Sequence, residues 1–266
     1  MALITYSSEY LKAKLGTLTG SQQTTCTELI KAAQNAIESF CKRKFELADY
    51  LELVEIGQLG EGFLRNYPLA SVTGVWDRQS EVLNLTHSGS SSASANVTDT
   101  SLRLISVTSG VTTVTELTFA SYATLAALET AIELISGWSV TVASGYGDYP
   151  SSDLVSGQFV TCKTGGNLLS WLPSEEHFIF NTDVGTIRFF CEDYQIVKVK
   201  YRGGFSVVPE GIQQVCANMV AYMLDKTTGI QSENLGDYSY TLAQNAVDSM
   251  PLQDKQILNL YRDRRV

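Results

Sequence analysis

Charge is scarce in this sequence: 18% of the 266 residues are Asp, Glu, Lys or Arg, against 44% hydrophobic residues. Histidine is scarcer still. His87 and His177 are the only two, and neither has His, Cys or Asp at ligand spacing, so no metal site is visible and both read as surface residues. No apolar run reaches transmembrane length. The start, Met1-Ala2-Leu3-Ile4-Thr5-Tyr6, lacks the charged head and apolar stretch of a signal peptide. A soluble protein made in a cytoplasm, with no membrane partner, is therefore expected. The five cysteines (Cys26, Cys41, Cys162, Cys191, Cys216) are odd in number and contain no CxxC pair. They read as reduced, mostly buried small hydrophobes.

Catalytic signatures are missing as well. The adjacent acids Glu175-Glu176 and Glu192-Asp193 point to opposite sides of a strand and do not form an acid/base pair. Thr164-Gly165-Gly166 lacks the lysine and following helix of a phosphate loop. Ser144-Gly145 and Ser156-Gly157 lack the second glycine of a nucleophile elbow. No enzyme and no cofactor are expected. The net charge of −9 is concentrated in the middle: residues 76–190 carry four basic and eleven acidic side chains. An acidic, lysine-poor surface repels phosphates and argues against a nucleic-acid binder.

What the chain does contain suffices for a real core, in one large or two small domains. Ser7 or Ser8 caps a short helix that Gly16 ends, with Tyr10, Leu11 and Leu15 on its apolar face. From Ser21 to Arg43, Cys26, Leu29, Ile30, Ala33, Ala36, Ile37, Phe40 and Cys41 recur at helical spacing. Lys42-Arg43-Lys44 closes that helix as a partner for its dipole, a nucleic-acid contact being the other reading. Tyr50 to Ile56 alternates as a strand with Glu52 outward. Phe63-Leu64-Arg65 can pair back on it as a hairpin after Gly57, Gly60 and Gly62, and Pro68 marks an edge or a turn.

The most informative stretch runs from Lys198 to Tyr240. Val197-Lys198-Val199-Lys200-Tyr201 alternates as a half-buried strand. Gly203 and Gly204 break it as a strand-to-helix turn, and Pro209 suits a helix start. Ile212, Val215, Cys216, Met219, Val220, Met223 and Leu224 form one broad helical stripe, with Gly229 at a C-cap position. The run Ser232 to Tyr240 follows. Ile257, Leu258, Leu260 and Tyr261 then mark a short terminal helix before Arg262, Arg264 and Arg265. That tail reads either as a helix with a basic dipole partner or as a segment that orders on docking to a neighbour.

Residues 76–190 read as an inserted domain. Ser88 to Ala95 is a low-complexity loop, and Leu102–Val107 and Val111–Phe119 are strands joined by Ser109-Gly110. Ser121 to Ile135 is an amphipathic helix, and Gly137–Val142, Phe159–Thr161, Phe178–Phe180 and Ile187–Phe190 are short strands. A ββαβ-type module fits. Tyr122, Trp138, Tyr146, Tyr149, Phe159 and Trp171 suggest a carbohydrate surface, although core packing explains most of them; Tyr146 and Tyr149 are the two expected to be exposed. Both ends of the insert enter adjacent strands of one sheet, which leaves a host fold intact.

Two blocks of residues carry a resemblance. The first is the long Ala-rich helix ending in Phe40-Cys41-Lys42-Arg43-Lys44-Phe45, a hairpin, and Tyr67-Pro68-Leu69. The second is the strand into Arg202-Gly203-Gly204-Phe205, Val208-Pro209, the following helix, and Gly236-Asp237-Tyr238-Ser239-Tyr240. Together they resemble head–tail connector (adaptor) proteins of long-tailed bacteriophages, with about 115 residues inserted. The resemblance implies a structural virion protein of α+β class: a connector core, residues 1–75 and 191–266, interrupted by the inserted domain. It implies a homo-oligomeric, twelvefold ring at the virion neck that binds the portal and joins capsid to tail. Genomic DNA would pass through that ring without sequence-specific binding. Asn234, Leu235, Gly236, Asp237, Tyr238, Ser239, Tyr240, Leu252, Ile257, Leu260, Tyr261, Arg262, Arg264 and Arg265 become candidates for subunit or portal contacts. The alternatives are another neck or tail-completion protein, or a glycan- or fibre-binding module carried on a helical scaffold.

Overall fold

The computed structural model describes residues 3–5, 8–18, 20–175, 177–190, 196–227, 232–235, 238–241 and 251–263. Expectations placed on Ser7, Glu176, Cys191, Glu192, Asp193, Gly229, Gly236, Asp237, Arg264 and Arg265 lie outside them. The fold is α+β, in two compact units. One holds Met1–Gly74, Glu176–Gln195 and Val199–Val266; the other holds Val75–Glu175 and Ile196–Lys198.

The first unit opens with α1 (Glu9–Leu15) and α2 (Gly20–Cys41). Ser8 caps α1 by accepting a hydrogen bond from the Leu11 amide. Cys26, Ile30, Ala33, Ile37 and Cys41 repeat at the expected spacing and are fully buried or nearly so. Strands β1 (Ala48–Glu55), β2 (Glu61–Phe63) and β3 (Leu69–His87) follow. The long β3 carries the chain into the second unit.

In the second unit the far half of β3 continues into β4 (Ser92–Val97), β5 (Ser101–Thr108) and β6 (Val111–Thr118). Ser109 and Gly110 both have positive φ, 50° and 80°, the turn that a two-residue hairpin of this twist needs. Helix α3 (Leu125–Glu133), capped by Thr124, leads to β7 (Trp138–Val142). A 3₁₀ turn at Ser151–Asp153 precedes β8 (Phe159–Thr161) and β9 (Gly166–Pro173). One sheet has the order β6-β5-β4-β8, and β3 separately pairs with β7 and β9. Leu85, Ala95, Leu102, Leu125, Leu128, Ile132 and Leu168 form the centre of the core they share with α3.

Several expectations for the insert need correction. Ser88 to Ala95 is not all loop: β4 starts at Ser92, and Ala93 and Ala95 are buried. His87 is buried, its ring edge-on to Trp138 at 4.9 Å, while His177 is exposed as expected. Tyr146 and Tyr149 are half-buried and packed on the core. The loop holding them is pinned by hydrogen bonds from the Leu125 and Ala126 amides to Tyr149 and Gly147.

The chain re-enters the first unit through β10 (Phe178–Asn181) and β11 (Thr186–Phe189). These strands, read from the sequence as part of the insert, pair as β10-β11-β2. That pairing also replaces the expected hairpin of β2 on β1. Next come β12 (Ile196–Gly203), α4 (Glu210–Thr227), the β13 (Ser232–Leu235)–β14 (Tyr238–Thr241) hairpin and α5 (Leu252–Asn259). The first unit's sheet runs β1-β12-β3, so the strands leading out and back are neighbours. Val197, Val199 and Tyr201 are fully buried. Lys198 is buried too, where half-exposure was expected; its Nζ lies 3.0 Å from Asp153 Oδ1 and over the Trp76 ring. Helices α2 and α4 pack against each other, with Ile212, Val215, Cys216 and Val220 at no exposure.

Candidate interaction surface

The first unit is knotted around one buried cation. Arg43 stands just past α2, only 2% exposed. Its guanidinium lies 3.7 Å from the Tyr67 ring centroid, 5.3 Å from that of Phe45 and 5.7 Å from that of Phe205. Nη2 donates to the Tyr67 carbonyl, while Nε and Nη1 are buried without a partner. Burial therefore lowers its pKa. Arg43 is thus no solvent-facing dipole partner, which corrects the sequence reading. Lys44 pairs with Glu38 at 2.5 Å, and Lys42 is exposed with φ of 58°.

Gly203 and Gly204 explain themselves at this joint. A Cβ on Gly203 would clash with the Asn66 carbonyl and sit 2.7 Å from the Tyr201 ring; Gly204 has φ of 103° and lies against the Glu46 carbonyl. Phe205 bonds to the Phe45 carbonyl through its amide, and the Gly204 amide to that of Pro68. After this turn Pro209 opens α4, its carbonyl accepting from the Ile212 and Gln213 amides.

Beside the joint, Glu52 turns inward, contrary to the expected outward placement. Its Oε1 accepts from the Tyr201 hydroxyl at 2.5 Å and from Asn66 Nδ2 at 3.0 Å. Burial and the Glu52 contact both push the Tyr201 pKa up. With Glu52 inward, strand periodicity puts Leu51 and Leu53 on the open face, 58% and 60% exposed. They border an open groove of about 1230 Å³ between the end of α2 and β1, also lined by Lys42, Glu55, Phe63 and Arg65. Sequence reasoning missed this surface because alternation gives the period and not the phase.

The nominated contact residues separate into groups. Asn234 and Leu235 lie on β13, and Tyr238, Ser239 and Tyr240 on β14; these two strands form a sheet of their own. In the tail, Ile257 and Tyr261 pack against the helical core beside the fully buried Leu258. Tyr261 meets Phe45 and Phe205 edge-on, and Arg262 lies over Phe40 at 5.8 Å. Leu252 and Leu260 face outward at 73% and 79% exposure. The tail from Leu252 to Asp263 is therefore held in its own unit: the Asp263 amide bonds to the Cys41 carbonyl, and Asp254 accepts from Asn218 at 3.0 Å. Among the described residues no group of three or more His, Cys, Asp or Glu side chains could hold a metal, and no helix is long and apolar enough to cross a membrane.

The α+β fold with an exposed strand face defines a class of architecture, not a named protein. No protein-family model matches the sequence, and no curated protein matches it significantly. Among solved structures, the chain is similar to one in the neck of an empty GTA particle computed with C6 symmetry. The two are 13% identical with a TM-score of 0.41, over 97% of this chain and 88% of that one. That likeness is too loose to establish a shared fold.

Proposed function

We propose that this chain is a structural virion protein of the phage neck, a ring-forming head–tail connector (adaptor) that binds the portal and joins capsid to tail around a DNA channel. One observation carries the reading. Phe40–Phe45, Tyr67-Pro68-Leu69 and Arg202–Phe205, separate in sequence and together resembling connectors, converge on the single buried Arg43. A set of motifs that builds one joint is a stronger sign of common construction than any of them alone.

The physical demands of the role agree with the chain. A ring needs heterologous contacts, one face of each subunit meeting a different face of the next. A channel through which DNA slides must not grip phosphates, and affinity scales with the number of phosphates neutralised; a net charge of −9 suits that. The role is architectural and uses no cofactor. The second unit, whose chain ends enter and leave through neighbouring strands, is a decoration that widens the neck or meets fibres. The glycan-binding alternative loses its two best residues, because Tyr146 and Tyr149 pack on the core.

Negative-stain images of the purified protein, alone and mixed with portal rings, test this. Rings with a central hole are expected. A protein that stays monomeric at high concentration and ignores portal rings overturns the proposal.

A further inference from the structure

We propose that the second unit carries a binding site for a single neutral sugar residue, on the solvent face where β9, β3 and β7 lie side by side. The site goes beyond the connector reading, does not depend on it, and uses none of the aromatic side chains of this unit.

Strand register builds the site. Asn84 on β3 stands directly opposite Asn167 on β9 and Thr141 on β7. Residues directly opposite in an antiparallel pair share a face, so these three side chains form one row across the sheet, and all three are exposed. Glu81 joins them through an irregularity. Three residues before Asn84, it would point to the inner face of a regular strand, the face of the buried Leu83 and Leu85. The register of β3 against β9 slips between Glu81 and Leu83. That bulge at Val82 turns Glu81 back to the Asn84 face, the re-aiming of a side chain that bulges provide. A chain of hydrogen bonds results: Asn84 Nδ2 donates to Asn167 Oδ1, and Asn167 Nδ2 donates to Glu81 Oε2 at 2.7 Å. The side chains are thereby fixed before any ligand arrives, which lowers the entropy cost of binding.

Beside this row lies an open pocket of about 190 Å³, walled also by Val82, Leu83 and Ala143. It is below the roughly 300–1,000 Å³ of sites for drug-sized ligands, so one small ring fills it. The polar groups decide the class of ligand. Among the described residues, Asn84 Oδ1, Glu81 Oε1 and the Thr141 hydroxyl take no hydrogen-bond partner, and each carboxamide nitrogen has a second N–H. Donors and acceptors thus alternate along the row, which suits a ligand whose own groups both donate and accept, as hydroxyls do. An anion would meet the Glu81 carboxylate in a segment with eleven acidic and four basic side chains. A cation would find that one carboxylate already holding Asn167. A planar base has no aromatic side chain in the lining to stack on. A polyhydroxylated ring, held by its hydroxyls with its C–H groups toward Ala143, meets all of these conditions.

The test is saturation-transfer difference NMR on the full-length protein, which reads the small ligand and so serves a monomer and a large ring alike. The probes are the methyl glycosides of glucose, galactose, mannose, rhamnose and N-acetylglucosamine. At least one should bind saturably, with a dissociation constant of about 1 mM for a ring of about a dozen heavy atoms. Asn84→Ala should weaken that binding about tenfold, and Thr141→Val, which keeps the side-chain shape, about fivefold. Both positions are exposed, and the fluorescence of Trp138 on β7 and Trp171 on β9 reports whether the sheet is intact. If Asn84→Ala disturbs that fluorescence, Thr141→Val decides alone. Thr112→Ala on β6 should change nothing. If no glycoside binds, or if binding survives the substitutions unchanged, the inference is overturned. Displacement of the sugar by calcium chloride at equal concentration would make this a cation site and overturn it too. None of these outcomes touches the connector reading, which stands or falls on ring formation.

Discussion

Truncating Arg43 to alanine tests the joint on which the first unit is built. The substitution removes a cation–π contact at 3.7 Å to Tyr67, worth about 2 kcal/mol when desolvated. It also removes the charged hydrogen bond to the Tyr67 carbonyl, worth about 1.5–3 kcal/mol, and it leaves a cavity among Phe45, Tyr67 and Phe205. Against these stands the cost of keeping a cation buried with Nε and Nη1 unpartnered, about 1–3 kcal/mol per group. The net expectation for Arg43→Ala is a loss of about 3 kcal/mol. Arg43→Met refills the volume without the charge and should cost about 1 kcal/mol or less. The molecule supplies its own two probes. Trp76, Trp138 and Trp171 all lie in the second unit, whereas among the described residues four of the five α-helices lie in the first. Urea unfolding followed by helical circular dichroism should shift its midpoint down by roughly 1.5 M for Arg43→Ala, taking a slope near 2 kcal/mol/M. The tryptophan transition should stay in place. Arg43→Met as damaging as Arg43→Ala would refute the reasoning, since the charge itself would then hold the joint. So would a neutral Arg43→Ala.

Gly203→Ala forces a Cβ into the Asn66 carbonyl and the Tyr201 ring, and should cost about 3 kcal/mol on the same circular dichroism assay; a wild-type midpoint would show that the turn can yield. Lys198→Met leaves Asp153 buried without its ion pair, an expected loss of about 3–5 kcal/mol in the tryptophan transition, largely restored by adding Asp153→Leu; equal losses in single and double variants would contradict it. Alkaline stability should also respond. Burial pushes the thiols of Cys41 and Cys216 from 9.0 up to about 12, that of Cys162 to about 11, and the Tyr50 hydroxyl from 10.0 to about 12. These groups stay protonated in the folded state while the unfolded chain releases its protons. Their stabilisation is therefore complete below pH 9 and is lost as pH rises from 9 to 12. Urea midpoints should fall steadily across that window, and Cys216→Ala should flatten the slope; a flat wild-type profile would count against it.

How much could be read from the chain itself follows the range of the forces involved. The helices were legible because each stripe, such as Cys26 to Cys41 or Ile212 to Val220, repeats within a few residues of itself. The Ser109-Gly110 turn and the Gly203-Gly204 break were legible for the same reason. Strand β9 was not: Gly166–Pro173 is buried on both faces in places and shows no clean alternation. Strand β4 was hidden because the core residues it contributes within the serine-rich run, Ala93 and Ala95, are alanines. The pairing of β2 with β11, more than 120 residues apart, left no local trace at all.

The sequence by itself determined that this is an α+β protein with an uneven, acidic charge, helical stripes at both ends and glycines at fixed turns, since those depend on near neighbours and backbone sterics. Tertiary structure decided the rest. It chose the phase of β1, because the Tyr201 hydroxyl and Asn66 recruit Glu52 inward and leave Leu51 and Leu53 outside. It turned Arg43 from an apparent surface cation into the buried centre of the joint, because Tyr67, Phe45 and Phe205 meet only when distant strands pair. Period is a property of the chain; phase and partnership are properties of the packed molecule.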